Sequence, residues 1–442
     1  MTIVSTLIII FVIIVFLRPH WGLAAFCLLF LWFAPMKIAG YSPRIAILIL
    51  IAIAVLPELI RQHVDFSPEG KKLLILLLLL PFAALPTLTL KSSESSYHFF
   101  RMLSFVSVIP VIIYTIQDEI RLRLIVTTLI IGSLVSCVFA YLQAIYGEAF
   151  YEVHYRILGQ YYSMIEGLPK YLRDNRPFGL STHSIDFGYD TLLIYGLLFA
   201  FFKYRELILT TLKKRFIFPL LFFMTGALAI NVTRSVILSL ILLLPISEII
   251  FEKGKTLKYS IYYIILFVLT LSIFLLIDLS YERLTSFTDS SLSGRVGLYI
   301  AGLSSIIANP ILGVGPDDAT GFSRYFMGAG LSQDYLVNLD ISAVHNNYMN
   351  AYLSYGSLFF FMLIIVIAKT LSILWKNYHA SGNRYMSVVS AGLFIGIVLY
   401  MIDIFFHNGG TFTHAFFWIF PGLALTIDCI MHKNKQLERF IN

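Results

Sequence analysis

Apolar runs on the scale of a lipid bilayer recur along the whole chain, and they limit its fold more than any other feature. A helix needs about 20 apolar residues to cross the hydrocarbon, with a range of roughly 17–25. On that scale the sequence predicts thirteen spans, near residues 2–17, 21–36, 44–60, 73–90, 98–116, 122–146, 184–202, 216–232, 235–251, 258–277, 347–372, 385–402 and 411–430. The first two are short and the fourth carries Pro81 and Pro86, so the expected number is 12–13. The fold class is therefore an all-α polytopic membrane protein. A composition of 58% apolar and 13% charged residues, with a mean hydropathy of +0.83, points the same way. No hydrophilic mature domain follows the first run, which reads as a membrane helix and not a cleaved signal. Cys27, Cys137 and Cys429 each lie inside an apolar run, and no disulfide framework is implied.

Placement of Lys and Arg sets the expected sidedness. With a cytosolic C-terminus, one set of loops holds 20 of the 32 basic residues, including the Lys203–Arg215 cluster, Lys369 and Arg384. The short loops opposite hold only Lys37, Arg44, Lys91, Arg101 and Arg234. Two long segments, 147–183 and 278–346, then face outward. The expected organisation is N-terminal transmembrane helices over 1–146, an outward loop over 147–183, and transmembrane helices carrying Arg234 over 184–277. A large outward, partly helical loop over 278–346 and C-terminal transmembrane helices over 347–442 complete it. Polar mass on the outer side excludes chemistry fed by cytosolic nucleotides. An enzyme there must use an activated substrate delivered within the membrane. The net charge of +7 follows from topology and calls for no nucleic-acid partner.

Four outward features carry potential chemistry. Arg234, in "NVTRSVILSL", sits at a tight hairpin between two spans. An arginine at that depth is costly unless it snorkels or meets an anion, and its planar fork suits a diphosphate. In "SGRVGLYIAGLSSIIANPILGVGPDD", Leu298, Ile300, Ala301, Leu303, Ile306 and Ile307 predict an amphipathic helix of roughly three turns, ended by Asn309-Pro310. Ser293 and Gly294 would precede it and Arg295 would lie in its first turn. The helix dipole disfavours arginine there, which is understandable if an anion binds between guanidinium and amides. A surface arginine on an interfacial helix is the alternative. The "GVGP" that follows supplies a tight turn through which backbone can approach a partner. Asp317-Asp318 reads as a solvated turn or an arginine partner, because adjacent carboxylates diverge. In "AVHNNYMNAYLSYG", His345 stands at the mouth of a span beside Asn346, Asn347, Asn350 and Tyr348. A lone histidine at a helix start is commonly a cap. Imidazole also titrates near neutrality, which suits a base acting on a sugar hydroxyl, and asparagine and tyrosine suit sugar binding. In "DIFFHNGGTFTH", Asp403 and His407 share a helix face, and together with His414 they read as a polar turn lining the outer vestibule and not as a metal site.

These stretches resemble, in order, the motifs of the O-antigen ligase and polymerase superfamily of bacterial envelope enzymes. "TRSVILSLILLL" is similar to its helix-hairpin motif. "GRVGLYIAGLSSIIANPILGVGPDD" is similar to its loop helix with arginine and N-P-x-x-G-x-G. "HNNYMNAYLSYG" is similar to the stretch opening its next span, and "RPFGLSTHSIDFGY" over 176–189 to the segment before an earlier one. The resemblance covers roughly residues 176–360. It implies a GT-C-like, metal-independent, inverting glycosyltransferase of the bacterial inner membrane, without a cofactor, working at the periplasmic face. The donor would be an undecaprenyl-diphosphate-linked glycan. The acceptor would be a hydroxyl of a lipid A core or of a growing lipid-linked chain. By position, Arg234 and Arg295 would hold the diphosphate and His345 would handle the acceptor hydroxyl. Arg176, Asn346, Asn347 and Tyr348 would contact substrate. The family commonly has about twelve spans with both ends cytosolic, whereas thirteen would put the N-terminus outside. The segment 147–175, with its five tyrosines, would fit a glycan-binding surface. A transporter or flippase of lipid-linked saccharides is the rival reading. It would place charged or broken elements at mid-membrane, where most spans here are uncharged.

Overall fold

The computed structural model describes residues 2–32, 43–61, 64–90, 95–147, 150, 177–181, 184–206, 214–231, 233–251, 290–315, 344, 346–380, 383–407 and 415–441. Among these the chain is helical and has no strand. The elements in order are α1 (Thr2–Leu17), α2 (Pro19–Trp32), α3 (Pro43–Arg61), α4 (Pro68–Ala83), α5 (Ser95–Val106), α6 (Val108–Thr115) and α7 (Glu119–Tyr146). They continue with α8 (Ser184–Tyr204), α9 (Ile217–Ile230), α10 (Arg234–Phe251), α11 (Ser290–Ala308), α12 (Asn347–Ala380), α13 (Arg384–Asp403) and α14 (Ala415–Ile441). With no water to satisfy backbone groups in hydrocarbon, helices are the expected solution for such a sequence.

Among the described residues, five helical stretches are long and apolar enough to cross a membrane: Pro68–Thr87, Glu119–Tyr146, Ser184–Tyr204, Asn347–Ala380 and Arg384–Phe406. The chain is thus a multi-pass membrane protein. The first two predicted spans correct to a bent pair, Ile10–Leu17 and Pro19–Leu29, turned by 119°. Arg18-Pro19 interrupts the apolar run, and α1 and α2, at 16 and 14 residues, are each shorter than a full crossing. The predicted span 98–116 divides at Ser107 into α5 and α6. The predicted span 258–277 lies outside the described residues.

The core is centred on α8 and α13, whose pairing is the most extensive in the molecule. α13 carries Gly392 and Gly396 four residues apart, and α8 presents Gly196 to them. A Cβ on Gly196 would overlap the Gly396 backbone, and one on Gly392 would lie 2.7 Å from the Leu197 Cα. In lipid, helices associate by packing and not by escape from water, so small residues that let backbones touch set the crossing. Around this pair, Trp418, Phe187, Tyr195 and Phe420 fill a single apolar core.

One end of the bundle gathers ion pairs of the basic residues that the sequence assigns to the cytosol. Glu69 pairs with both Lys72 and Lys369 at 3.2 Å, Arg123 with Glu119 at 2.7 Å, and Arg384 with Glu206 at 3.2 Å. The starts of α8, α10 and α12 and the end of α13 meet at the other end.

Gly396→Val forces a branched side chain into backbone contact, and overpacking of this kind costs about 1–3 kcal/mol. Thermal unfolding in detergent is expected to show a clear fall in Tm for Gly396→Val. Ile131→Ala, on an exposed face of α7, should leave it nearly unchanged.

Candidate functional site

Arg234 is the first residue of α10 and is half-buried. The turn before it is fixed by Asn231, whose side chain is fully buried. Asn231 Nδ2 donates to the carbonyls of Pro177 (2.7 Å) and Ser184 (2.8 Å), and its Oδ1 accepts from the Thr233 hydroxyl. Residues 177–181 are in turn pinned to α7. Gln143 Oε1 accepts from the amides of Phe178 (2.8 Å) and Gly179 (2.9 Å), and its Nε2 donates to the Gly179 carbonyl (2.9 Å). Ser136 Oγ accepts from the Leu180 amide at 2.9 Å. These bonds satisfy loop backbone that would otherwise be buried without partners. The stretch that follows Arg176 and the turn that precedes Arg234 therefore form one hydrogen-bonded unit.

The second construction joins α11 to α12. Helix α12 is interrupted at Gly356, whose φ of 78° and ψ of 176° break the intrahelical ladder. The turn after α11 supplies the missing partners. The amides of Val314 (2.7 Å) and Gly315 (3.1 Å) donate to the Leu353 carbonyl, while the Ser357 amide donates to the Ile311 carbonyl at 3.0 Å. The Tyr352 hydroxyl donates to the Pro310 carbonyl at 2.6 Å. Glycine is required on both sides. Gly313, at φ 69°, would bring a Cβ 2.7 Å from the Tyr352 carbonyl, and a Cβ on Gly356 would overlap the Ile311 carbonyl. The sequence anticipated that "GVGP" lets backbone approach a partner; that partner is the break in α12. A small apolar cluster of Leu298, Ala301, Val344 and Leu353 holds the rest of α11 in place. Gly302 allows close contact with Val344 and Met349.

Helix α11 begins at Ser290, earlier than predicted, so Ser293 and Gly294 lie inside it and Arg295 is in its second turn. A glycine inside a helix costs only about 0.5–1 kcal/mol, too little to stop the helix there. Arg295 therefore does not stand in the first turn of α11, where it was expected. Of these two arginines, Arg234 is the one that opens a helix.

The third construction closes the end of the bundle with α13. Ser235 Oγ lies 2.5 Å from His407 Nε2, and His407 Nε2 is 3.6 Å from Asp403 Oδ1. Asp403 is fully buried and His407 nearly so. Of the polar turn expected to line the outer vestibule, Asp403 and His407 are thus buried, and residues 408–414 lie outside the described residues. The Tyr348 hydroxyl donates to the Met401 carbonyl at 2.8 Å and ties α12 to α13. The Tyr189 hydroxyl donates to Asp186 at 2.5 Å, and its ring meets the Tyr400 ring edge-on at 5.7 Å.

Of the candidate site residues, Asn346 is buried as the cap of α12, its Oδ1 accepting from the amides of Tyr348 (3.0 Å) and Met349 (3.1 Å). Asn347 is buried and its Nδ2 has no hydrogen-bond partner among the described residues. Arg176, His345, Asp317, Asp318, His414 and the Arg295 side chain lie outside the described residues, as does the segment 151–175. Asn231, Gln143, Ser136 and Ser235 position the site and were not singled out from sequence. A lone amide such as Gln143 inside a span was the available signal.

Asn231→Ala leaves two buried carbonyls without their donor, at a cost of about 1–3 kcal/mol. Thermal unfolding of the purified variant is expected to show that loss. Gly356→Ala should release the turn after α11. Hydrogen exchange at the Val314 and Gly315 amides is then expected to rise at least about tenfold, the equivalent of roughly 1.4 kcal/mol of local opening.

No curated protein matches the chain. Residues 219–364 match the family model described as O-antigen ligase. That stretch contains Arg234, α11, the turn after it and the break in α12, and so three of the four stretches that carry the resemblance; the fourth, 176–189, lies outside it. Over residues 219–364 the chain is thus similar to the O-antigen ligase family, which supports the resemblance to the O-antigen ligase and polymerase superfamily.

Proposed function

We propose that the protein is a GT-C-like, metal-independent, inverting glycosyltransferase of the bacterial inner membrane, with its site at the periplasmic face. It transfers a glycan from an undecaprenyl-diphosphate donor to a hydroxyl of an acceptor glycan, either a lipid A core or a growing lipid-linked chain. The observation that carries this reading is the convergence of four separated motif segments on one end of the bundle. Asn231 joins the hairpin to residues 177–184, Ser235 joins it to His407, and the turn after α11 locks into α12. That end is opposite the one where Lys72, Arg123, Lys369 and Arg384 cluster, as the charge distribution requires of an outward site.

In this mechanism the acceptor oxygen attacks the anomeric carbon as the bond from that carbon to the diphosphate oxygen breaks. The diphosphate leaves with the bonding electrons, and the hydroxyl proton passes to the imidazole of His345. Expelling a diphosphate calls for charge stabilisation more than for protonation. Arg234 and Arg295 supply it, and Arg234 adds its charge to the positive N-terminus of α10. Arg176 adds a further phosphate or glycan contact. Asn347, whose Nδ2 has no hydrogen-bond partner among the described residues, donates to glycan hydroxyls. Asn346 and Tyr348 add substrate contacts beside the cap and the Met401 bond that they already make.

The test is the surface polysaccharide ladder of cells carrying Arg234→Ala, Arg295→Ala or His345→Ala. At normal protein level, each is expected to reduce transfer by about 100-fold or more, as loss of one stabilising donor commonly does. Arg234→Lys should fall between, since it keeps the charge and loses the fork. Loss of chain length with capped single units marks a polymerase. Loss of all lipid A-linked polymer, with lipid-linked polymer accumulating, marks a ligase. An unchanged ladder at normal protein level overturns the assignment.

A further inference from the structure

Helix α11 has two apolar faces, and among the described residues one of them packs against the protein. Leu298, Ala301 and Ser305 are buried against Val344 and α12. Ile300, Leu303 and Ile307 follow one another at helical spacing on the opposite face and are 46, 54 and 78% exposed. A helix in water carries polar residues on its outer face, and this one carries aliphatic residues there. The stripe does not stop where the helix ends. Ile311, 71% exposed, continues it, and its carbonyl accepts from the amide of Ser357 at 3.0 Å. The residue after Ser357 is Leu358, 59% exposed, followed along α12 by Phe361 (58%) and Ile365 (48%). These last side chains lie on a helix long and apolar enough to cross a membrane. The exposed face of α11 is thus continuous with a lipid-facing surface, joined to it through the lock at Gly356.

We infer that the Ile300–Leu303–Ile307–Ile311 stripe is a membrane-docking surface, seated in the acyl-chain boundary of the leaflet at the site's end of the bundle. Its occupant is bilayer lipid. Continuity with α12 argues for this over a second copy of the chain, because the face runs without interruption into one that lipid must already cover. Docking there holds α11 in the plane of the interface. It sets the helix that carries Arg295 at the depth of lipid phosphates, where a membrane-anchored diphosphate resides, so a donor need not be lifted into water. The inference rests on the membrane-spanning fold and not on the transferase reading, and the two are tested by different readouts.

The experiment is nitroxide labelling of Leu303→Cys and Ile307→Cys in vesicles of phosphatidylethanolamine and phosphatidylglycerol. Cys429 is replaced by serine; Cys27 and Cys137 are fully buried and remain. Collision with oxygen, which partitions into lipid, is compared with collision with a water-soluble nickel chelate. Phe361→Cys is the lipid reference and Lys72→Cys the aqueous one. The expected oxygen-to-nickel ratio at 303 and 307 matches Phe361 and exceeds Lys72 several-fold. A ratio equal to that of Lys72 overturns the inference, as does protection from both reagents, which would mean that protein covers the stripe.

Discussion

The contact between α8 and α13 is the constraint from which the rest of the arrangement follows. Backbone meets backbone at Gly196 and Gly396, which leaves these two helices no freedom to slide. Their ends are thereby held level, and Asp186 and Tyr189 on one face Tyr400 and Asp403 on the other. Helix α10 takes its place against this pair through Ser239, which donates to the Leu399 carbonyl at 3.3 Å, and through Gly188, which admits Val236. Hydrocarbon offers no hydrophobic drive for such an assembly, so steric fit between small residues and a few buried hydrogen bonds must supply the specificity.

At the site's end several buried polar side chains serve to position main chain. Asn231, Gln143 and Ser136 tie residues 177–181 and the turn before Arg234 to one another through buried amides and a hydroxyl, and so fix main chain. Asn346 and Tyr348, which the sequence offered as substrate contacts, spend one functional group each on capping and on the Met401 carbonyl. Asn347 is the neighbour that spends none of its amide nitrogen among the described residues.

Much of this was legible in the sequence where a single local rule decides the outcome. The predicted spans 184–202 and 385–402 match α8 and α13 to within two residues, because a long apolar run between polar ends admits one reading. The end of α11 was legible for the same reason, since Asn309-Pro310 stops a helix whatever surrounds it. Its start was not, because Gly294 is a weak stop that packing of the following turns overrides. The break in α12 was also hidden. Gly356 lies in an apolar run, and what stabilises its open ladder is a turn that lies some forty positions upstream in sequence. Arg234, His345 and the order of the motifs could be read from residue type alone. That Asn231 and Gln143 tie the turn before Arg234 to residues 177–181 could not, since a buried amide and a solvated one look alike in one dimension.

The lock between the turn after α11 and the break in α12 is made almost entirely by main chain. Carbonyls of Pro310, Ile311 and Leu353 and amides of Val314, Gly315 and Ser357 carry it, and only the glycines are demanded by name. A joint of this kind measures spacing and is indifferent to most side chains. The residues between Asn309 and Gly315 can drift in identity while their number stays fixed, for one inserted residue would carry each donor past its acceptor. Tolerance to substitution and intolerance to insertion thus coexist in the same seven residues, a combination opposite to that of most surface loops.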